Sequence, residues 1–321
     1  HRSDYLDHML ATPSEDGRPG HFNFLGTDTG LSAISVIIGG EGRVGPYAGG
    51  WQGNAQSSRR LSQFGSKPDL LHVAPEEPGN LAGEFNGFIR QSALIQQVNE
   101  NKLTQNLDKR TPKEQEKILN EIKNQHINFE DTAILADLEQ GFRNFQKTAD
   151  AVYWAIQNGA TVLHIEDQGR NKRCGHLGGK ELASTTDYCD TLRAANFSAQ
   201  STLGPEQAER QWVKFVARTD AYSADRIEFS NNLKDPSHPD HAFIDWDKGF
   251  SPDGQYVYLK KGTNPETGNT FGLDLSIARS VKVINEGLAP FVWMETPTGD
   301  LHTVKAFIEG VNKKLEPFDK K

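Results

Sequence analysis

Sulfur is scarce in this sequence, which has two cysteines, Cys174 and Cys189, and two methionines among 321 residues. Two cysteines do not make a disulfide framework, so a reducing cytoplasmic setting is the expected location. The sequence also lacks an apolar run of about 18 residues, the length that crosses a bilayer. Residues 1–8 lack the apolar stretch of a signal peptide. We therefore expect no membrane partner.

An excess of basic residues is absent as well. The formal net charge is −8 and the pI is 5.7, which argues against nucleic-acid binding because nucleic-acid-binding proteins present a basic face. Hydrophobic residues make up 36% of the chain, enough to build a sizeable core. Its length suits a single α/β barrel with insertions.

Apolar segments alternate with helical segments along the chain, a pattern that is typical of parallel β/α units. Strand candidates lie at residues 22–25, 43–50, 132–139, 160–165, 213–220 and 290–295. Helix candidates lie at residues 31–38, 81–127, 145–159, 185–202, 273–285 and 301–315.

We predict an α/β fold, a TIM-type (β/α)8 barrel, because polar residues follow the strands, where such barrels keep their active sites. An open doubly wound sheet is the rival, but residues 26–30 match its glycine turn only weakly. About six strands are found where a closed barrel needs eight. We therefore expect residues 1–321 to form one barrel domain, incomplete at its C-terminal end, with an insertion at about residues 230–270. Such a span should not be a stable monomer, because two sheet edges stay open.

The densest group of reactive side chains lies in residues 164–180. Glu166 and Asp167 follow an apolar strand, and a glycine-rich loop then carries Cys174. Three basic residues lie within two positions of this thiol: Lys172, Arg173 and His176. Nearby positive charge stabilises a thiolate, so Cys174 is a candidate acid or nucleophile. The alternative is a surface loop with an incidental cysteine.

Carboxylates at two neighbouring strand ends indicate a metal site. Asp137 and Glu139 end one predicted strand, and Glu166 follows the next. Three carboxylates repel one another unless a cation lies between them, and Mg²⁺ or Mn²⁺ prefers oxygen ligands. The alternative is a set of salt bridges to basic residues: Lys172, Arg173 and Arg218. Metal, thiol and the planar fork of Arg218 together indicate a reaction on a small polycarboxylate.

Residues 172–177, Lys-Arg-Cys-Gly-His-Leu, resemble the signature of isocitrate lyase and its superfamily relatives. Residues 47–52, Tyr-Ala-Gly-Gly-Trp-Gln, and residues 135–142, Leu-Ala-Asp-Leu-Glu-Gln-Gly-Phe, are similar to two further family segments. The resemblance covers roughly residues 22–315. Other segments with counterparts in the same order are residues 164–168, 217–221 and 293–296.

The resemblance implies an isocitrate lyase, a carbon–carbon lyase of the glyoxylate cycle. Such an enzyme cleaves isocitrate to glyoxylate and succinate by a Mg²⁺-dependent retro-aldol reaction, with Mn²⁺ as a possible substitute. The resemblance also implies a cytoplasmic homotetramer that acts on a small molecule. Two alternatives stay open: methylisocitrate lyase or a related lyase of the superfamily, and a non-catalytic homologue that serves as a binding or assembly subunit.

The resemblance assigns roles to individual residues. The carboxylates implied to hold the metal, directly or through water, are Asp137, Glu139, Glu166 and Asp69. The residues implied in catalysis are Cys174, which protonates the succinate carbanion, Tyr47, which takes the hydroxyl proton, and His176 and Lys172. The residues implied to bind substrate are Gly50, Trp51, Gly175, His176, Arg218, Glu295 and His164.

The sequence departs from the family pattern at three places. Gly49 replaces a serine, and Arg143 stands where a glycine is usual, so we expect Arg143 to crowd the metal carboxylates. The sequence ends at Lys321, before a serine-rich family segment that contacts the succinate half. These departures motivate the non-catalytic alternative.

Overall fold

The computed structural model describes residues 8, 10–11, 23–26, 33–35, 37, 44–48, 74–127, 132–174, 177–209, 212–297 and 300–315. Nine strands lie in these residues: β1 (Asn23–Gly26), β2 (Val44–Ala48), β3 (Leu135–Asp137), β4 (Val162–Glu166), β5 (Glu181–Leu182), β6 (Lys214–Thr219), β7 (Arg226–Glu228), β8 (Tyr256–Tyr258) and β9 (Phe291–Met294). Six of them form one parallel sheet in the order β1-β2-β3-β4-β6-β9. The predicted α/β fold with about six parallel strands is confirmed.

Apolar side chains of the central strands are buried on both faces of the six-stranded sheet, as expected for a parallel sheet. All five residues of β4 are buried. Val162 packs with Leu135 in a small cluster on one face. Leu163 and Ile165 point the other way and join the main core, which the helices complete. The carboxyl ends of the strands are thereby held at one edge of a rigid sheet.

Seven helices with defined bounds lie in the described residues: α1 (Glu77–Thr104), α2 (Pro112–Gln125), α3 (Phe145–Gln157), α4 (Thr185–Leu203), α5 (Pro205–Glu209), α6 (Phe271–Asn285) and α7 (Leu301–Lys314). Side chains of Asn144, Ser184 and Thr270 cap the starts of α3, α4 and α6 by accepting backbone N–H bonds. No helix in the described part of the chain is long and apolar enough to span a bilayer.

The single helix predicted over residues 81–127 is wrong, because the chain forms two helices there. Asn106 adopts a left-handed backbone with φ 59° after the end of α1. Thr111 and Glu114 then form a capping box, and Pro112 starts α2. A proline lacks the N–H that a continuous helix would need. The prediction treated the charged residues as one solvated helix face and did not use the capping box and the proline as a helix start.

A second, smaller sheet has the order β5-β7-β8, in which β7 and β8 lie in residues 226–270 and β5 lies between β4 and α4. Ile227, Leu233 and Val257 are fully buried in the apolar cluster beneath it. Residues 226–270 include all of the predicted insertion at residues 230–270. The single-domain organisation and the insertion itself stay predictions.

Candidate active site

Residues of the predicted site meet at the carboxyl ends of the parallel strands. The register pairs Asp137 with His164 across β3 and β4. It also pairs Glu166 with Arg218, and Arg218 with Trp293. Because parallel strands end at the same edge, residues that are far apart in the chain meet there.

Asp137, the last residue of β3, accepts several hydrogen bonds. The Tyr47 hydroxyl donates to its Oδ2 at 2.7 Å, and the backbone N–H of Glu139 donates to its Oδ1 at 2.8 Å. The Nδ1 of His164 lies 3.0 Å from Oδ1. Burial alone would raise the pKa of Asp137, but His164, Lys172 and Tyr47 outweigh it and hold the pKa well below its usual value. Asp137 is therefore ionised in the folded protein.

Tyr47 is kept protonated by the same contact. Burial and the negative charge of Asp137 raise the pKa of its phenol well above the ordinary value. Its ring packs at steep angles against His164 and Trp293, with ring centroids 6.3 and 6.2 Å away. These rings fix the hydroxyl as a donor to the carboxylate.

Lys172 places an ammonium group between two of the predicted metal carboxylates. Its Nζ contacts Glu139 Oε2 and lies 3.5 Å from Glu166 Oε1. All three side chains are at most 2% exposed. The salt bridge that we considered as the alternative to a metal is thus present for Lys172.

Arg218 is surrounded by three carboxylates and one aromatic ring. Its Nε and Nη2 donate to the two oxygens of Asp220 at 3.0 and 3.1 Å. Glu166 lies 3.4 Å away, Glu295 lies 3.7 Å away, and the guanidinium carbon is 5.2 Å from the Trp293 ring centroid. Burial opposes the charge, but the carboxylates raise the pKa of Arg218 well above its usual value. The Arg218 guanidinium, which we predicted to bind a substrate carboxylate, is hydrogen-bonded to Asp220 in this arrangement.

Asp220 and Lys180 belong to this cluster, although sequence reasoning gave them no role. The Lys180 ammonium donates to Asp220 at 2.7 Å, and both side chains are fully buried. Burial would raise the pKa of Asp220, but Arg218 and Lys180 hold it below the usual value. Asp220 follows Arg218 by two residues. Side chains two positions apart along a strand lie on the same face, so this spacing could have identified Asp220 as a partner of Arg218. Lys180 gave no comparable signal.

Asp167 anchors a second buried ion pair behind the cluster. It accepts hydrogen bonds from Arg279 at 2.8 Å and from Thr219 at 2.7 Å. Burial raises its pKa despite these donors. Arg279 also donates to Asp240 at 3.1 Å, so residues 226–270 are tied to the strand ends by buried charge.

Gln168 holds the backbone beside the predicted catalytic thiol. Its side-chain amide donates to the Arg173 carbonyl and accepts from the Arg173 N–H, both at 2.8 Å. The next residue, Cys174, is half-buried, and its carbonyl accepts the Leu177 N–H at 2.9 Å. The clamp therefore fixes the chain between Lys172 and Cys174.

Several predicted site residues lie outside the described residues: Asp69, Gly50, Trp51, Gly175 and His176. The departure at Gly49 lies outside them too. Their roles stay predictions.

Arg143 has a partner other than the metal carboxylates that we expected it to crowd. Its Nη2 donates to Glu228 of β7 at 2.6 Å, and the two side chains are 16% and 13% exposed. The residue has a φ of 50°, in the left-handed region that favours glycine. The substitution of the usual glycine thus creates an ion pair with the smaller sheet.

The donor chemistry of the strand ends fits a hard divalent cation. Within residues that the structure describes, no three His, Cys, Asp or Glu side chains converge as a ready metal site. Mg²⁺, however, commonly takes one or two protein carboxylates and fills its shell with water and substrate, and Asp137, Glu139 and Glu166 offer carboxylate oxygens.

The formal charge of the cluster also fits a dication. Its buried carboxylates are Asp137, Glu139, Glu166, Asp220 and Glu295, and its buried cations are Lys172, Lys180 and Arg218. With histidine counted as neutral, the carboxylates exceed the cations by two charges. A divalent cation would reduce that excess.

Comparison with known proteins finds similarity to one family. Residues 89–245 match the model of the isocitrate lyase family. The chain is 28% identical to isocitrate lyase of Corynebacterium glutamicum over 300 residues, and 27% identical to that of Escherichia coli over 306 residues. These matches cover 92% and 93% of the chain. The chain is therefore similar to isocitrate lyases over most of its length.

Comparison with solved structures shows the fold. An oxaloacetate acetylhydrolase has a TM-score of 0.54 at 19% identity, covering 96% of the chain and 68% of that structure. A 2,3-dimethylmalate lyase of the phosphoenolpyruvate mutase/isocitrate lyase superfamily has a TM-score of 0.53 at 17% identity, covering 96% and 66%. The fold is therefore TIM-type. The chain spans 56% and 57% of the two bacterial relatives, and 25% of a bifunctional glyoxylate cycle protein of Caenorhabditis elegans that is 27% identical.

Proposed function

We propose that the protein is a Mg²⁺-dependent carbon–carbon lyase that cleaves isocitrate to glyoxylate and succinate. The observation that carries this proposal is the buried cluster at the strand ends, where carboxylates exceed cations by two charges. In the same cluster, Arg218 offers a planar guanidinium that suits a substrate carboxylate. A bound divalent cation would polarise the hydroxyl and carboxylate oxygens of the substrate. We assign the metal to Asp137, Glu139 and Glu166, directly or through water, with Asp69 as a further candidate.

The proton on the substrate hydroxyl leaves in the first step that these residues support. Tyr47 is the candidate acceptor, and its hydroxyl oxygen lies 2.7 Å from the Asp137 oxygen to which it donates its own proton. Because the pKa of Tyr47 is raised and that of Asp137 is lowered, Tyr47 must first lose its own proton to solvent before it can act as the base. Loss of the hydroxyl proton forms the aldehyde of glyoxylate as the carbon–carbon bond breaks.

The electron pair of the broken bond goes to the succinate carbon, which must gain a proton. Cys174 is the candidate donor, because it is half-buried and two residues from Lys172. Arg218 would hold a substrate carboxylate, with its fork shared between the substrate and Asp220. Gly50, Trp51, Gly175, His176, His164 and Glu295 complete the proposed substrate contacts.

The decisive experiment measures cleavage of isocitrate, methylisocitrate and oxaloacetate by the full-length protein, each with Mg²⁺ and with a chelator. Isocitrate would give glyoxylate and succinate, methylisocitrate would give pyruvate and succinate, and hydrolysis of oxaloacetate would give oxalate and acetate, so each reaction is followed by its own products. Glyoxylate release from isocitrate that needs Mg²⁺ supports the proposal, and faster pyruvate release from methylisocitrate would favour that substrate instead. A methyl group is worth only about 1–3 kcal/mol of discrimination, so both rates must be measured. No release from any substrate would favour a non-catalytic subunit.

The metal assignment has its own test. Glu166→Gln removes one charge from the proposed metal shell, and Glu295→Gln removes one from the far side of Arg218. We expect the first variant to weaken Mn²⁺ binding by at least about tenfold and the second to weaken it less. Equal affinities in both variants and the parent protein would argue for salt bridges alone. We also propose that the protein is a cytoplasmic homotetramer. Light scattering on the full-length protein measures its mass and so tests the number of subunits.

A further inference from the structure

Lys172 lies between two of the carboxylates that we assign to the metal. Its ammonium contacts Glu139 and is 3.5 Å from Glu166, and its side chain is 2% exposed. Glu166 is the last residue of β4, and Glu139 lies in the turn two residues after β3. In the absence of another cation, the ammonium therefore relieves the repulsion between them.

A metal ion bound directly to these oxygens would compete with the lysine for them. A divalent cation at the same oxygens would lie beside the ammonium, and like charges so close in a buried site repel strongly. The carboxylates are held by rigid strand ends, whereas the lysine side chain has four rotatable bonds and follows a glycine-containing loop. When metal binds, the lysine is the group that moves.

We propose that Lys172 is an internal counter-cation that fills the metal position in the metal-free protein and is expelled by the metal. The proposal rests on the proposed function, because it takes Glu139 and Glu166 as metal ligands. Metal binding and release of Lys172 are then one exchange, in which the carboxylates keep a cation throughout. Lys172 is two residues from Cys174 in the chain. The exchange therefore moves a positive charge within the segment that carries the thiol.

Lys180 is a matched control within the same cluster. It is equally buried and ion-paired, but its partner is Asp220 at 2.7 Å rather than Glu139 or Glu166. Lys305 is 74% exposed and serves as the reference for a freely reactive amine. An exchange at the metal position should free Lys172 and leave Lys180 in place.

The first experiment acetylates the lysines of the full-length protein with an N-hydroxysuccinimide ester and quantifies each site by mass spectrometry. Saturating Mg²⁺ should raise the labelling rate of Lys172 by at least about tenfold, while Lys180 stays protected and Lys305 is unchanged. Calorimetry in the same buffer establishes that Mg²⁺ is bound. Bound Mg²⁺ with no change at Lys172 would overturn the exchange and leave the proposed metal site intact.

The second experiment compares Mn²⁺ affinity, measured by electron paramagnetic resonance, in Lys172→Met and Lys180→Met. Each variant removes one positive charge, but only the first removes the competitor. We expect Lys172→Met to bind at least about tenfold more tightly than the parent, and more tightly than Lys180→Met. Equal gains in Mn²⁺ affinity in both variants would mean that removal of either positive charge tightens binding. That result would overturn the exchange. If neither the parent nor Lys172→Met binds Mn²⁺ or Mg²⁺, the proposed metal site fails and the exchange fails with it.

Discussion

The Tyr47 hydroxyl lies 2.7 Å from the Asp137 carboxylate, although 90 positions separate the two residues in the chain. The contact exists because β2 pairs with β3 in parallel register. It joins the candidate proton acceptor to a candidate metal carboxylate. The hydrogen bond also holds the carboxylate in a fixed orientation at the strand end.

Tyr47→Phe removes only the hydroxyl from this contact. We expect a loss of about 1.5–3 kcal/mol in the free energy of unfolding, the range for hydrogen bonds to charged groups. Urea unfolding at neutral pH measures it. Tyr153→Phe is the control, because Tyr153 is 45% exposed. Equal stability of both variants would mean that the contact contributes nothing to the folded state.

Acid should destabilise the protein through Asp137 and Asp220. The pKa of each is lower in the folded than in the unfolded chain, because neighbouring charges outweigh burial. Their stabilisation is complete above the unfolded pKa of about 3.9 and is lost as the pH falls towards the folded pKa. Asp137→Asn and Asp220→Asn should each reduce the fall in the free energy of unfolding between neutral pH and about pH 2, as measured by urea unfolding. Asp108 is exposed, so Asp108→Asn should leave this pH dependence unchanged.

The strand and helix positions could be predicted because they follow from local apolar patterns. The strand predicted at residues 160–165 is Val162–Glu166, and the helix predicted at residues 185–202 is Thr185–Leu203. The gathering of polar groups at one edge also follows, since parallel strands end together. Sequence alone therefore located the candidate site.

The side-chain partners within the site could not be predicted, because they depend on distances across the fold. Lys172 was one of several basic residues near the carboxylates, and only the structure selects its contact with Glu139. Arg143 finds Glu228 85 positions away, on a sheet that the sequence did not reveal. Competing ion pairs have similar signatures in a sequence, so geometry must choose between them.

Cys174→Ser should abolish turnover while leaving Mg²⁺ binding and folding intact. Serine is nearly isosteric, but its hydroxyl is a far poorer acid near neutral pH than a thiol. Cys189→Ala is the control, because Cys189 is fully buried and its pKa is raised by burial to about 11. Glyoxylate release and calorimetry measure the two properties. Substantial turnover in Cys174→Ser would remove the thiol from the proposed mechanism.

Arg143 combines a favourable contact with an unfavourable backbone, and two substitutions separate the effects. Arg143→Ala and Arg143→Gly both remove the ion pair with Glu228, but only glycine relieves the left-handed φ of 50°.

We expect the glycine variant to be more stable than the alanine variant by about 1 kcal/mol, the cost of a left-handed conformation for a residue with a Cβ. Both should be less stable than the parent, because Glu228 loses a charged donor in a mostly buried position. Urea unfolding at neutral pH gives the three free energies. If alanine proves as stable as glycine, the backbone at residue 143 must relax to negative φ once the ion pair is gone. In that case the contact with Glu228 is what holds the turn after β3 in its left-handed form.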